Sequence, residues 1–143
     1  MERTIKEISD SELFDLLKSI SKYFERKIKL YALGGTALTL LGIKTSTRDI
    51  DLDVELSDYK YLTGIFGQIG FRKDGIRWWT IDGIGLDLFH GENVMGTQLP
   101  GDAIKNSKHI RTFGNIELYT LSPYDIILDL IEIKFNEWGL KSD

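Results

Sequence analysis

The chain has no cysteine, so disulfides and thiolate-bound zinc are excluded. It has only two histidines, too few for a triad of histidine metal ligands, and only two prolines. No apolar run approaches the length needed to span a bilayer, so no membrane partner is expected. The N-terminal Met1-Glu2-Arg3-Thr4-Ile5-Lys6-Glu7 is charged and has no apolar core of a secretory leader, which makes a cytoplasmic location the expectation. A surplus of basic charge is missing as well. Eighteen Lys and Arg against 22 Asp and Glu give a net charge of −4, which argues against a protein that coats nucleic-acid duplexes.

What remains is an ordinary globular composition, 42% hydrophobic and 28% charged over 143 residues. That length predicts a single domain, residues 1–143, with a core large enough to stand without covalent staples. Leu13, Leu16, Leu17, Ile20 and Phe24 recur at helical spacing behind a Ser9/Glu12 capping box, predicting a helix over 9–24. An apolar strand ending at Leu33 leads to Gly34-Gly35, followed by a short helix over 36–41. Leu62, Ile65, Phe66 and Ile69 predict a second long helix, begun at Ser57 or Asp58 and stopped by Gly70. Asp82-Gly83 reads as a hairpin turn joining strands 76–81 and 84–90. Residues 91–100 look like loop, 102–108 like a short helix, and 110–119 like a hairpin around Gly114-Asn115. Ser122-Pro123 is a strong helix start, and Ile126, Ile127, Leu130, Ile133 and Trp138 follow it.

One stretch stands out. Asp49-Ile50-Asp51-Leu52-Asp53-Val54-Glu55 alternates acids with aliphatics, which places four carboxylates on one face of a strand and a core-forming row on the other. Like charges in a row on a rigid element call for a cation. A calcium loop is excluded by detail: its sixth position is Val54 where the turn needs Gly, and its twelfth is Lys60 instead of Glu. A solvated edge strand would also carry charge, but an unbroken set of acids, with Asp disfavoured in strands, fits it poorly. Asp87, set between Leu86 and Leu88, is out of place unless it faces the same point as Asp49 and Asp51. Trp78 and Trp79 must point to opposite faces of their strand. One belongs to the core and the other is available for stacking, and the sequence does not say which.

Gly34-Gly35-Thr36 followed by Asp49-Ile50-Asp51 resembles the nucleotidyltransferase fold of the DNA polymerase beta superfamily. Within that superfamily the chain is most similar to small prokaryotic abortive-infection and toxin–antitoxin nucleotidyltransferases. The resemblance implies an α+β domain, a mixed twisted sheet with helices packed on one face and a cleft on the other. It also implies an enzyme that moves a nucleoside monophosphate from a nucleoside triphosphate to a hydroxyl and releases pyrophosphate. The acceptor stays open among a partner protein, a tRNA and a small molecule. By the same resemblance Asp49 and Asp51 match the paired acids and Asp87 the third. Together they would be the catalytic residues and the ligands of Mg2+ or Mn2+, with Asp87 also the base for the acceptor hydroxyl. Gly34, Gly35 and Thr36 match the nucleotide-binding corner.

Physical chemistry supports that corner independently. Glycines let the backbone approach phosphates, and a helix start offers free N–H groups. Lys44, Thr47 and Arg48 lie in the following loop within reach of phosphates. No Walker A loop is present, because Gly42-Ile43-Lys44-Thr45 lacks the adjacent Gly-Lys. Asp53 points the same way as Asp49 and Asp51, either tuning a second metal or solvated. The late helix departs from the family: relatives carry Ser-Pro-Glu and a Lys about two turns in, where this chain has Ser122-Pro123-Tyr124 and Leu130, with Lys134 one turn later. Two alternatives remain, a non-catalytic, antitoxin-like or regulatory module of the same fold that binds a partner protein, and a metal-dependent phosphodiesterase.

Overall fold

A computed structural model describes residues 6–90, 93–94, 97–98, 101–128 and 131. Helix α1 (Asp10–Ser21) begins with the expected capping box, in which the Ser9 and Glu12 side chains each satisfy the other's backbone N–H. Strand β1 (Ile28–Ala32) then enters the centre of the molecule and leads into α2 (Gly34–Leu40). This short helix starts at the glycines themselves, two residues earlier than expected, with Leu33 in the N-cap position and its carbonyl accepting from the Ala37 N–H at 3.1 Å. A loop carries the chain to β2 (Asp49–Val54), and α3 (Leu56–Ile69) follows directly. Glu55, the fourth acid of the alternating run, is therefore the N-cap of α3 rather than a strand residue.

Strands β3 (Arg72–Lys73), β4 (Trp78–Ile81) and β5 (Ile84–His90) form a meander, with β4 and β5 joined at Asp82-Gly83. Both turn residues have positive φ, 50° and 81°, as a tight two-residue hairpin requires. Between residues 91 and 100, expected to be loop, the two-residue strands β6 (Asn93–Val94) and β7 (Thr97–Gln98) pair with each other. Helix α4 (Gly101–Lys105) precedes the hairpin of β8 (Lys108–Phe113) and β9 (Ile116–Thr120). Residues 123–128 are helical, with Ser122 as expected at the start: its Oγ accepts from the Asp125 N–H at 3.2 Å and donates to Asp125 Oδ2 at 2.7 Å. Leu130, Ile133 and Trp138, expected on that helix, lie outside the described residues.

The seven-stranded sheet has the order β3-β4-β5-β2-β1-β9-β8. It is mixed: β2 runs parallel to β5 and β1 parallel to β9, while the remaining neighbours are antiparallel. The core lies on the face carrying Ile50, Leu52, Val54, Leu86 and Leu88, all at most 2% exposed. Helices α1 and α3 cover this face, seen in the ring contacts of Phe14 with Phe113, Phe66 with Trp79 and Tyr59 with His90. The acids of β2 project to the other face.

Candidate nucleotide and metal site

Because β2 and β5 run parallel and in register, Asp51 is the direct partner of Asp87, and Asp49 of Gly85. Register partners on neighbouring strands project to the same side of a sheet. Asp87 is therefore on the face of Asp49 and Asp51 and immediately beside Asp51. Asp51 is 8% exposed, while Asp49 and Asp87 are intermediate. Among the described residues no three His, Asp or Glu side chains converge tightly enough to hold one ion. The donor set itself, carboxylate oxygens only, suits hard divalent cations such as Mg2+ or Mn2+.

Beside the acids β1 ends and the chain turns at Gly34, whose φ of 50° is poorly tolerated by other residues. Gly35 forms a cradle: a Cβ placed on it would stand 3.4 Å from Lys44 Nζ and 3.5 Å from Thr47 Oγ1. The two glycines and Lys44 thus come together at the start of α2, next to the acids. Arg48 is exposed on the same loop. Thr36 is fully buried, and its hydroxyl is engaged by the backbone of β2, accepting from the Asp51 N–H at 2.9 Å and lying 3.2 Å from the Asp49 carbonyl. The Thr47 hydroxyl donates to the same carbonyl at 2.9 Å.

Asp53 shares the face but not the environment. It is 2% exposed, between Tyr31 on β1 and Phe89 on β5, so the solvated alternative is excluded. Its Oδ1 has no hydrogen-bond partner among the described residues, and burial pushes its carboxyl up to about 7, with the nearby Glu55 charge adding to the effect. The row continues through Tyr31, stacked on Tyr119 with ring centroids 5.4 Å apart. Burial foremost, then Glu55, raises the Tyr31 hydroxyl to about 12. Tyr119 is also raised, mainly because its hydroxyl donates to Glu117 at 3.0 Å. Nothing in the sequence pattern links Tyr31 to Tyr119, since their pairing depends on β1 and β9 meeting in parallel across most of the chain. The tryptophan ambiguity also resolves. Trp79 packs into the core against Phe66, and Trp78 is the register partner of Asp87 on the opposite face, but both rings are buried, so neither stands open for stacking.

No protein-family model matches the chain, and no curated protein matches it in sequence. Solved structures do. A candidate nucleotidyltransferase from Thermotoga maritima superposes with a TM-score of 0.66 at 19% identity, covering 92% of this chain and 91% of that one. The chain has a nucleotidyltransferase fold. The antibiotic-resistance factor ANT(2'')-Ia shares this fold with a TM-score of 0.60 at 18% identity, over 91% of this chain and 75% of that one. The lincosamide antibiotic adenylyltransferase LnuA, solved with lincomycin bound, gives 0.54 at 17% identity, over 95% of this chain and all of the other. Against this background the mixed α+β sheet is as expected, and no helix among the described residues is long and apolar enough to cross a membrane.

Proposed function

We propose that this protein transfers a nucleoside monophosphate from a nucleoside triphosphate to a hydroxyl of an acceptor, releasing pyrophosphate. The observation that carries this reading is the register of Asp87 with Asp51 beside the Gly34-Gly35 corner. It puts carboxylates from two strands next to a glycine cradle with a lysine ammonium at its rim. In this reading Asp49, Asp51 and Asp87, drawn together around the ion, would hold Mg2+ or Mn2+, which would supply charge neutralisation at the phosphates and activation of the attacking oxygen. Gly34 and Gly35 let the backbone approach the triphosphate, and Lys44 and Arg48 supply positive charge to it. Asp87, on the strand further from the glycine corner, takes the proton of the acceptor hydroxyl.

The acceptors named for fold neighbours are antibiotics, so a hydroxyl-bearing small molecule stands first here, ahead of a tRNA or a protein side chain. The test is incubation with each α-labelled triphosphate, Mg2+ and acceptor panels of aminoglycosides, lincosamides, tRNA and cell extract. A labelled product identifies triphosphate and acceptor together. Triphosphate binding with no labelled product from any panel would favour the partner-binding module. Release of monophosphate without a triphosphate requirement would favour the phosphodiesterase.

A further inference from the structure

The carboxylates that would hold the metal stand on a strand whose neighbour stops short, and the backbone left behind must be satisfied somehow. Leu33 still makes half of a ladder pair with β2: its N–H donates to the Asp51 carbonyl at 3.0 Å. The other half is missing, because the Leu33 carbonyl is committed to α2 and accepts from the Ala37 N–H at 3.1 Å. In an antiparallel pair that carbonyl would have accepted from the Asp51 N–H. A buried N–H left without an acceptor is strongly unfavourable. Thr36 Oγ1 takes its place at 2.9 Å and, as a hydroxyl, turns its own hydrogen to the Asp49 carbonyl at 3.2 Å. Thr47 Oγ1, two residues before Asp49 in the loop that leads into β2, donates to the same carbonyl at 2.9 Å. Thr47 is in turn fixed by reciprocal backbone bonds with Ile8, at 2.8 and 2.9 Å.

We propose that Thr36 and Thr47 are positioning residues, a pair of hydroxyl latches that set the backbone of Asp49 and Asp51 and thereby the spacing of the metal-binding carboxylates. Thr36 substitutes for a strand residue, which lets β1 end and the glycine corner open without loosening the acids beside it. Its hydroxyl acts on the nucleotide site through β2. This rests on the assignment of Asp49 and Asp51 as metal ligands made above.

The latch is read by Mn2+ binding, measured from the electron paramagnetic resonance of free Mn2+, on folded protein without triphosphate. Thr36→Val keeps the buried bulk and removes the hydroxyl, and it should raise the Mn2+ dissociation constant about tenfold or more, the scale of one lost buried hydrogen bond. Thr36→Ser should restore most of the affinity. Thr47→Val should weaken binding less, because the Asp49 carbonyl keeps Thr36. Thr39 is the internal control: equally on α2 and buried, its hydroxyl donates to the Gly35 carbonyl at 2.8 Å, away from β2. Thr39→Val should leave the Mn2+ constant unchanged even where it lowers the melting temperature. Amide exchange gives a metal-free readout, with the Asp51 N–H losing protection in Thr36→Val and keeping it in Thr39→Val. If Thr36→Val fails to fold, Thr47→Val and its Ser rescue carry the same comparison. Wild-type affinity in the Thr36 and Thr47 valine variants, or equal weakening in Thr39→Val, would overturn the latch alone. Wild-type protein that binds no Mn2+ would overturn the metal site and the latch with it.

Discussion

The two ends of strand β2 carry the same residue on the same face and do opposite things with it. At the first end Asp49 and Asp51 stand where β1 has already turned away, with Gly85 and Asp87 alongside and the glycine corner opening next to them. At the other end Asp53 is walled in by Tyr31 and Phe89 on both neighbouring strands. Two residues of chain separate a carboxylate beside the glycine corner from a carboxyl that burial pushes up to about 7. Alternation decides which face an acid is on. The length of the neighbouring strand decides what stands beside it.

The largest expected effect lies at the open end. Asp87→Ala should retain triphosphate binding, held by the corner and the first two acids, yet lose about 10²–10⁴-fold in transfer rate, the range for removing a positioned proton acceptor. Pyrophosphate release under single-turnover conditions reads this. A variant as active as wild type would show that Asp87 shares the face without sharing the work.

Gly35→Val tests the corner next. The added methyls would press on Lys44 Nζ and the Thr47 hydroxyl, which already stand at 3.4 and 3.5 Å from a single Cβ. Triphosphate affinity should fall about tenfold or more, with the far-ultraviolet circular dichroism unchanged. Affinity equal to wild type would reduce the glycine pair to a turn.

The closed end predicts a pH dependence. The folded protein holds the Asp53 proton up to about pH 7, whereas an aspartate in the unfolded chain loses it near the ordinary value of 3.8. Stability from this group is therefore full below pH ~4 and is lost as pH rises through ~7. Asp53→Asn removes that loss. Its stability, followed by thermal melting, should exceed that of wild type by an amount that grows from pH 4 to 7 and then levels. The plateau is a few kcal/mol in order of magnitude, since each tenfold change in proton affinity is worth ~1.4 kcal/mol. A difference constant across pH would mean that Asp53 is ionised and stabilised by a group not in contact with it here. The smallest effect belongs to Tyr31→Phe, which touches only the closed end. It should leave triphosphate affinity within about twofold, and a larger loss would join the two ends into one site.

These contrasts also mark what the sequence makes legible. Short-range signals hold: the Ser9/Glu12 box, the Asp82-Gly83 hairpin and the alternation of β2 all rest on contacts a few residues apart, and each is found in the structure. Asp87 is legible for a different reason, because a charged residue between two core leucines violates the local pattern and needs a cause. The start of α2 at Gly34 is not legible, since helix propensity assigns glycines to the turn, whereas the first helical bond already closes on the Leu33 carbonyl. Nor is the burial of Asp53, which depends on Tyr31 and Phe89 arriving from two other strands. Thr36 and Thr47 illustrate the same limit. Their places beside the glycine corner and in the loop before β2 are readable, but their bonds to the backbone of Asp49 and Asp51 depend on how β1, α2 and β2 meet.

The most direct measurement is a thermal-shift titration of Mg2+ with a triphosphate on wild type, Asp51→Asn and Asp53→Asn in parallel. Ligand that binds only the folded protein raises the melting temperature by mass action, about 2.7 kcal/mol of stabilisation at a hundredfold excess over its dissociation constant. The open end of β2 as the ligand site predicts a rise in wild type, a rise of similar size in Asp53→Asn from its higher baseline, and none in Asp51→Asn. An undiminished rise in Asp51→Asn would contradict it.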